Sequence, residues 1–240
     1  MKLDILVFAA HPDDAELGCS GTIISQIAKG KKVGIIDFTR GELGTRGDEK
    51  TRKEEAVEAS KIIGISVREN LAFADGFFKN DKEHLLKLVS VIRKYQPDIV
   101  LANTIDDRHP DHARAAQLAN DACFYSGLIK IKTKYQGEKQ EAWRPNRLFH
   151  YIQSNYIKPD FVVDISDVWE QKIEAVKAFK TQFYTGDAED DNKQTFISTP
   201  TFMKFLEARA REFGKHVGVE FAEGFISAKP LAVRDLGVFI

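Results

Sequence analysis

Two short stretches of this chain gather the side chains that perform acid–base and metal chemistry. One is His11-Pro12-Asp13-Asp14, the other Asp106-Asp107-Arg108-His109-Pro110-Asp111-His112. In the first, His11 and Asp14 stand three residues apart and could share one cation, with Asp13 between them left for another task. Imidazole plus carboxylate is the usual donor set of a catalytic zinc, which takes three protein ligands and keeps one coordination position open. In the second, His109 and His112 are again three apart, and one of them would complete the set. The expected third ligand is His112, close to a helix start, with His109 facing the open position. Asp111 is then expected to take a proton from His109 and hold its ring, as carboxylates do for working imidazoles. Iron(II) suits two histidines and one carboxylate as well as zinc does. Either stretch alone would read as a polar loop with an aspartate capping a helix. Together they point to a metal site.

The elements around them place both stretches on one edge of one sheet. Residues 5–10 form an apolar run that reads as a buried strand, and it stops at His11. A helix over 14–29 follows, with acids in its first turn, Gly18 and Gly21 inside it, and Gly30 as its cap. Residues 33–39 form a second strand, and the glycine-rich loop that follows carries Arg40, Arg46 and Asp48. Then come an amphipathic helix over 49–63, a short strand at 70–74, a helix over 81–95 and a buried strand at 98–102. The His109 stretch follows that strand directly and leads into a helix over 111–125. Strands alternating with helices over short connections predict right-handed βαβ units and a mainly parallel sheet, in a Rossmann-like three-layer α/β fold. In such sheets ligands bind beyond the carboxyl ends of the strands. The C-terminal third is less regular. Residues 127–145 read as exposed, and strands are expected at 148–153, 161–165 and 221–227. Helices are expected over 167–181 and 200–213, and a mobile acidic loop over 185–198. No linker or repeat divides the 240 residues, so a single domain over 1–240 is expected.

Composition narrows the partners. Net charge is −1, which gives no reason to expect nucleic acid or a membrane surface. The N-terminal apolar run is too short for a signal peptide or a membrane span. Cys19 and Cys123 are the two cysteines, which suggests a reducing, cytoplasmic setting and not a disulfide scaffold. Cys19 is read as a small core-facing helix residue. A dinucleotide-binding domain would need a glycine-rich turn after the first strand, where this chain has carboxylates that would repel a pyrophosphate. A structural zinc site would close with four ligands, mostly Cys and His. A set of three with a spare carboxylate suits catalysis.

The motifs AHPDDAELGCSGT and HPDH resemble those of the LmbE/PIG-L family of zinc-dependent N-deacetylases, which act on N-acetylated sugars. The segments TRGELGTRGDEKTR and EARAREFGKHVGVEFAEGF resemble its bacillithiol-pathway branch, the N-acetylglucosaminyl malate deacetylases. The resemblance implies a Rossmann-like fold and a homo-oligomer, commonly a hexamer. It implies His11, Asp14 and His112 as zinc ligands, Asp13 as general base, His109 as an aid to the transition state, and Arg52 near the substrate. Some members place a tyrosine by the open position; Tyr184 is the candidate here, with Phe196 as the alternative occupant of that region. A substrate bearing malate carboxylates would be met by cationic side chains, and Arg46, Arg52 and Arg108 lie in loops on the correct edge. Deacetylation of a chitobiose-type or mycothiol-type sugar is the neighbouring possibility.

Overall fold

The computed structural model describes residues 1–184 and 193–239, so the acidic part of the expected 185–198 loop, residues 185–192, lies outside the described residues. The chain runs β1 (Ile5–Ala9), α1 (Asp14–Ala28), β2 (Val33–Thr39), α2 (Glu49–Ile63), β3 (Val67–Phe73), α3 (Lys82–Tyr95), β4 (Ile99–Ala102) and α4 (Pro110–Ser126). It continues through β5 (Lys134–Tyr135), β6 (Glu138–Lys139), β7 (Arg147–Tyr151), β8 (Phe161–Asp164), α5 (Trp169–Lys177), α6 (Pro200–Lys215) and β9 (Ala222–Ser227).

Seven strands form one sheet in the order β3-β2-β1-β4-β7-β9-β8. The first five run parallel, and β9 is antiparallel to both of its neighbours. β1 is apolar at every position because helices cover both faces of the sheet. Leu6, Phe8 and Ala10 pack on one side with Leu88, Ile92 and Leu118 from α3 and α4. Ile5, Val7 and Ala9 pack on the other with Ile23 and Ile24 of α1. A third cluster joins Trp169 of α5, Phe179, Leu206 of α6 and Phe221.

From β1 the chain winds through β2 and β3 in one direction, then returns to place β4 on the other side of β1. The loops after β1 and β4 therefore face each other across the switch point, where open α/β sheets bind ligands. Those loops carry His11 to Asp13 and Asp106 to His109, with Asp14 and His112 in the first turns of the helices that follow.

The structure departs from the expected elements in three places. The third strand starts earlier, at Val67, because its polar residues are satisfied by ion pairs: Arg68 bonds Asp37 at 2.7 Å and Glu16 at 2.6 Å. The expected 167–181 helix divides into a 3-10 turn at Ser166–Val168 and α5, and ends at Lys177. Thr181 lies beyond it, its backbone N–H and hydroxyl both donating to Glu55. Within 127–145, a two-residue hairpin pairs Lys134 with Lys139 and Tyr135 with Glu138.

Candidate active site

Asp13 is the residue on which the β1–α1 turn hinges. It caps α1 with φ 119°, a left-handed conformation uncommon for any residue but glycine. Arg52 of α2 holds it there, donating from Nη2 to Asp13 Oδ2 at 3.1 Å and to the Pro12 carbonyl, and from Nη1 to Gln182 at 3.0 Å. The guanidinium lies so close to Gly41, at φ +70°, that a Cβ there would come within 2.8 Å of Arg52 Cζ. Glycine in the β2–α2 loop is what lets this arginine sit beneath the site.

Asp14 opens α1 and stands between two imidazoles. Its Oδ2 lies 3.5 Å from His11 Nδ1 and its Oδ1 3.1 Å from His112 Nε2. Asn103, at the end of β4, donates to Asp14 at 3.0 Å, and Gln153, after β7, donates to it at 2.9 Å. His11 Nε2 meets Asp75 Oδ1 at 2.9 Å and Asp111 Oδ2 at 3.3 Å. His112 Nδ1 is hydrogen-bonded to Asp107.

Two groups of side chains here could hold a cation, each with ligand atoms within 4.8 Å of one another: His11, His109 and His112; and His11, Asp75 and Asp111. Donors about 2.0–2.1 Å from a tetrahedral ion stand roughly 3.3 Å apart. Asp14, outside both groups, comes near that spacing through a different oxygen for each ring, Oδ2 at 3.5 Å from His11 Nδ1 and Oδ1 at 3.1 Å from His112 Nε2. Each of these imidazoles has its far nitrogen on another carboxylate, the usual support of a metal-binding histidine. The donor set fits a divalent cation.

His109 lies in the cluster but has a different hydrogen-bond partner from the one expected. Its Nδ1 accepts the backbone N–H of Asp111 at 3.2 Å, so a neutral ring carries its proton on Nε2. The Asp111 carboxylate is not its partner; it takes the Gly76 N–H at 2.8 Å, faces His11 and pairs with Arg114. The reason is local. Pro110 at the first helical position starts α4, and its first turn directs the Asp111 N–H back onto the capping ring.

The electrostatics follow from burial among opposite charges. Burial pushes the Asp13 carboxyl up, to about 7, against the pull of Arg52. Burial opposes charge on Asp14 too, but His112 and His11 hold it well below the usual carboxylate range. For His112, Asp14 and Asp107 overcome burial and raise it to about 9. His109 is lowered by burial and by its imidazole neighbours, which favours the neutral ring.

These groups line a cavity of about 300 Å³ together with Leu43, Arg108, Phe196 and Arg209. Arg108 lies over the Phe196 ring at 5.0 Å. Arg46 and Tyr184 are not in this lining. Arg46 is buried with its Nε on the Thr181 carbonyl, tying the loop to the segment after α5. Next to Tyr184, Phe183 takes the buried position, and Tyr184 is left 38% exposed while Phe196 reaches the cavity. Sequence reasoning missed Asp75, Asn103 and Gln153, and gave Asp107 no role although it lies in the second stretch. Asn103 and Asp107 lie within or beside the second motif; Asp75 and Gln153 follow other strands and carry no local signal.

Fold and donor set define a class: an α/β enzyme with acidic and imidazole groups at the switch point that could hold a divalent cation. Residues 6–123 match the PIG-L family, described as GlcNAc-PI de-N-acetylase. The diacetylchitobiose deacetylase of Thermococcus kodakarensis is 30% identical over 234 residues, covering 92% of this chain and 81% of that protein. The probable N-acetyl-alpha-D-glucosaminyl L-malate deacetylase 2 of Bacillus subtilis is 29% identical over 199 residues, 76% of this chain and 84% of that one. The 4-oxalmesaconate hydratase of Pseudomonas putida is 30% identical over 192 residues, 74% of this chain and 73% of its own. Among solved structures, a conserved protein from Thermus thermophilus superposes with a TM-score of 0.86 at 38% identity, covering 98% of each chain. This chain belongs to the PIG-L/LmbE family, whose deacetylases are hydrolytic enzymes.

Proposed function

We propose that the chain hydrolyses the acetamide of N-acetylglucosaminyl L-malate, or a closely similar acidic N-acetyl sugar conjugate, releasing acetate and the free amine. Deacetylation of N-acetylated sugar conjugates is the activity its family relatives support. The observation that carries the reading is Asp13: a buried carboxylate beside the His11, Asp14 and His112 cluster, paired with an arginine and not with an imidazole.

A divalent cation held by His11, Asp14 and His112, zinc on this reading, supplies Lewis-acid chemistry that polarises a carbonyl and makes water more acidic. Asp13 removes the proton from the attacking water, and its value of about 7 suits a base working near neutral pH. Arg52 fixes the carboxylate in place for that transfer. His109 presents its neutral Nε2–H to the acyl oxygen as negative charge develops, a contact typically worth about 2.7–4 kcal/mol. The proton on Asp13 then passes to the departing amine, so one water is consumed and acetate and amine are formed.

The acidic aglycone is met by Arg108, an exposed guanidinium at the cavity edge. Arg52 serves Asp13 instead, and Arg46 the Thr181 carbonyl. The two unpaired cysteines suit a cytoplasmic setting, and no helix of the described residues is long and apolar enough to cross a membrane. A homo-oligomer belongs to the same reading. The test is a panel of N-acetylated sugars with and without a malyl group, scored for free amine. Turnover should be highest on the malyl conjugate, and Arg108→Ala should depress it there more than on diacetylchitobiose. A preference for the neutral sugars, unchanged by Arg108→Ala, would reject the acidic substrate.

A further inference from the structure

His11 and His112 meet Asp14 through opposite ring nitrogens. His11 turns Nδ1 toward Asp14 and Nε2 toward Asp75. His112 turns Nε2 toward Asp14 and Nδ1 toward Asp107. A neutral imidazole has one N–H and one lone pair, and a nitrogen that donates to a carboxylate has no lone pair for a cation. We propose that Asp107 is a positioning residue that sets the tautomer of His112 when a cation is bound, accepting a hydrogen bond from Nδ1–H and leaving the Nε2 lone pair for the ion. Asp75 stands in the same relation to His11.

The geometry around Asp107 suits that task. Its side chain is 0% exposed. Its second oxygen, Oδ1, accepts the N–H groups of Ser154 at 3.1 Å and Asn155 at 2.9 Å. Those two donors come from the segment after β7, so the carboxylate is anchored from outside its own loop and cannot turn away from the ring. The inference rests on His112 being a cation ligand through Nε2.

That anchoring gives Asp107→Asn a definite consequence. The two backbone donors hold the amide oxygen where Oδ1 was, and the NH2 group replaces Oδ2. An amide NH2 only donates, so Nδ1 must become the acceptor and the proton moves to Nε2, the nitrogen facing Asp14. The asparagine variant keeps the Ser154 and Asn155 bonds yet presents the wrong tautomer. Alanine removes those bonds but leaves the ring free to choose.

The experiment measures zinc affinity by chelator competition for wild type, Asp107→Asn, Asp107→Ala and His112→Ala, with thermal melts of the zinc-free proteins to establish folding. Asp107→Asn should melt as wild type does and bind zinc roughly 10- to 100-fold more weakly, with Asp107→Ala the milder of the two. A supporting carboxylate of purely structural role would give the reverse order. Asparagine affinity equal to wild type, or alanine the weaker binder, would overturn the proposal. His112→Ala separates the two readings: if it keeps zinc, the ligand assignment fails; if it loses zinc while Asp107→Asn keeps it, only the tautomer proposal fails. Nitrogen-15 NMR of the zinc-loaded wild type needs no variant to fold. It should find the His112 proton on Nδ1, and a proton on Nε2 would overturn the proposal.

Discussion

Asp13 combines three properties that are costly to maintain together: a left-handed backbone, a buried carboxylate and a single charged partner. A non-glycine residue at such a φ costs about 1–3 kcal/mol and persists only where its surroundings impose it. Arg52 imposes it, and also draws the Asp13 pKa down against burial. A base must be unprotonated to act, so activity should fall as pH drops through the Asp13 value, about 7 in the chain alone. A bound dication would move that limb lower, in the same direction as Arg52. Removing the arginine moves it the other way. The kcat/KM profile of Arg52→Ala should have its acid limb at higher pH than wild type, and an unmoved limb would contradict the assignment of Asp13 as base. At this scale the two motifs were legible because each packs its groups into a few consecutive residues. Asp75 and Gln153 were not, since each enters from a different strand end with no pattern around it. The Asp111 carboxylate was assigned to His109, but the α4 first turn offers that ring a backbone N–H instead.

α1 begins at Asp14 with Asp13 as its cap, so their placement depends on how that helix is seated. Gly18 and Gly21 let it lie directly on the sheet and the α5 approach: a Cβ at Gly18 would run into the Tyr151 ring, and one at Gly21 would reach Ile165 within 2.9 Å. Behind it, Lys172 of α5 is buried and donates to the Glu16 and Leu17 carbonyls and to Glu223 of β9 at 2.7 Å. Glu223 in turn accepts the backbone N–H groups of Gly21 and Thr22. Removing one partner of a buried pair leaves the other charge uncompensated and typically costs about 3–5 kcal/mol. Lys172→Met should lower stability by that order in urea titration. Lys61→Ala, which loses an exposed pair with Glu58 on α2, should cost under about 1 kcal/mol. Equal effects would contradict the account of how α1 is held. The sequence exposed the glycines of α1 but not their neighbours, because Tyr151 and Ile165 lie more than a hundred residues away.

Across the whole molecule, the parallel half of the fold was readable from apolar runs separated by amphipathic helices, since strands covered on both faces need no polar alternation. The β7-β9-β8 side was not readable in its order or directions. Its strands are short and partly exposed, and the chain reaches β9 only after α5 and α6. The clusters that bind the sheet to its helices are built from apolar side chains and include none of His11, Asp14 and His112. Chelation should therefore abolish turnover while leaving the far-ultraviolet circular dichroism intact. Added zinc should raise the melting temperature, by about 2.7 kcal/mol of stabilisation at a hundredfold excess over Kd. Loss of the folded spectrum on chelation would contradict a cation that serves chemistry and not architecture.

In the proposed site the β1–α1 and β4–α4 junctions meet on one cation held by His11, Asp14 and His112. Anomalous diffraction from crystals grown with zinc tests it most directly. One strong peak is expected, bonded to Asp14, His11 Nδ1 and His112 Nε2, with the Asp13 carboxylate nearby but not bound. A peak centred instead between His11 Nε2, Asp75 and Asp111, or one bonded to Asp13, would contradict it.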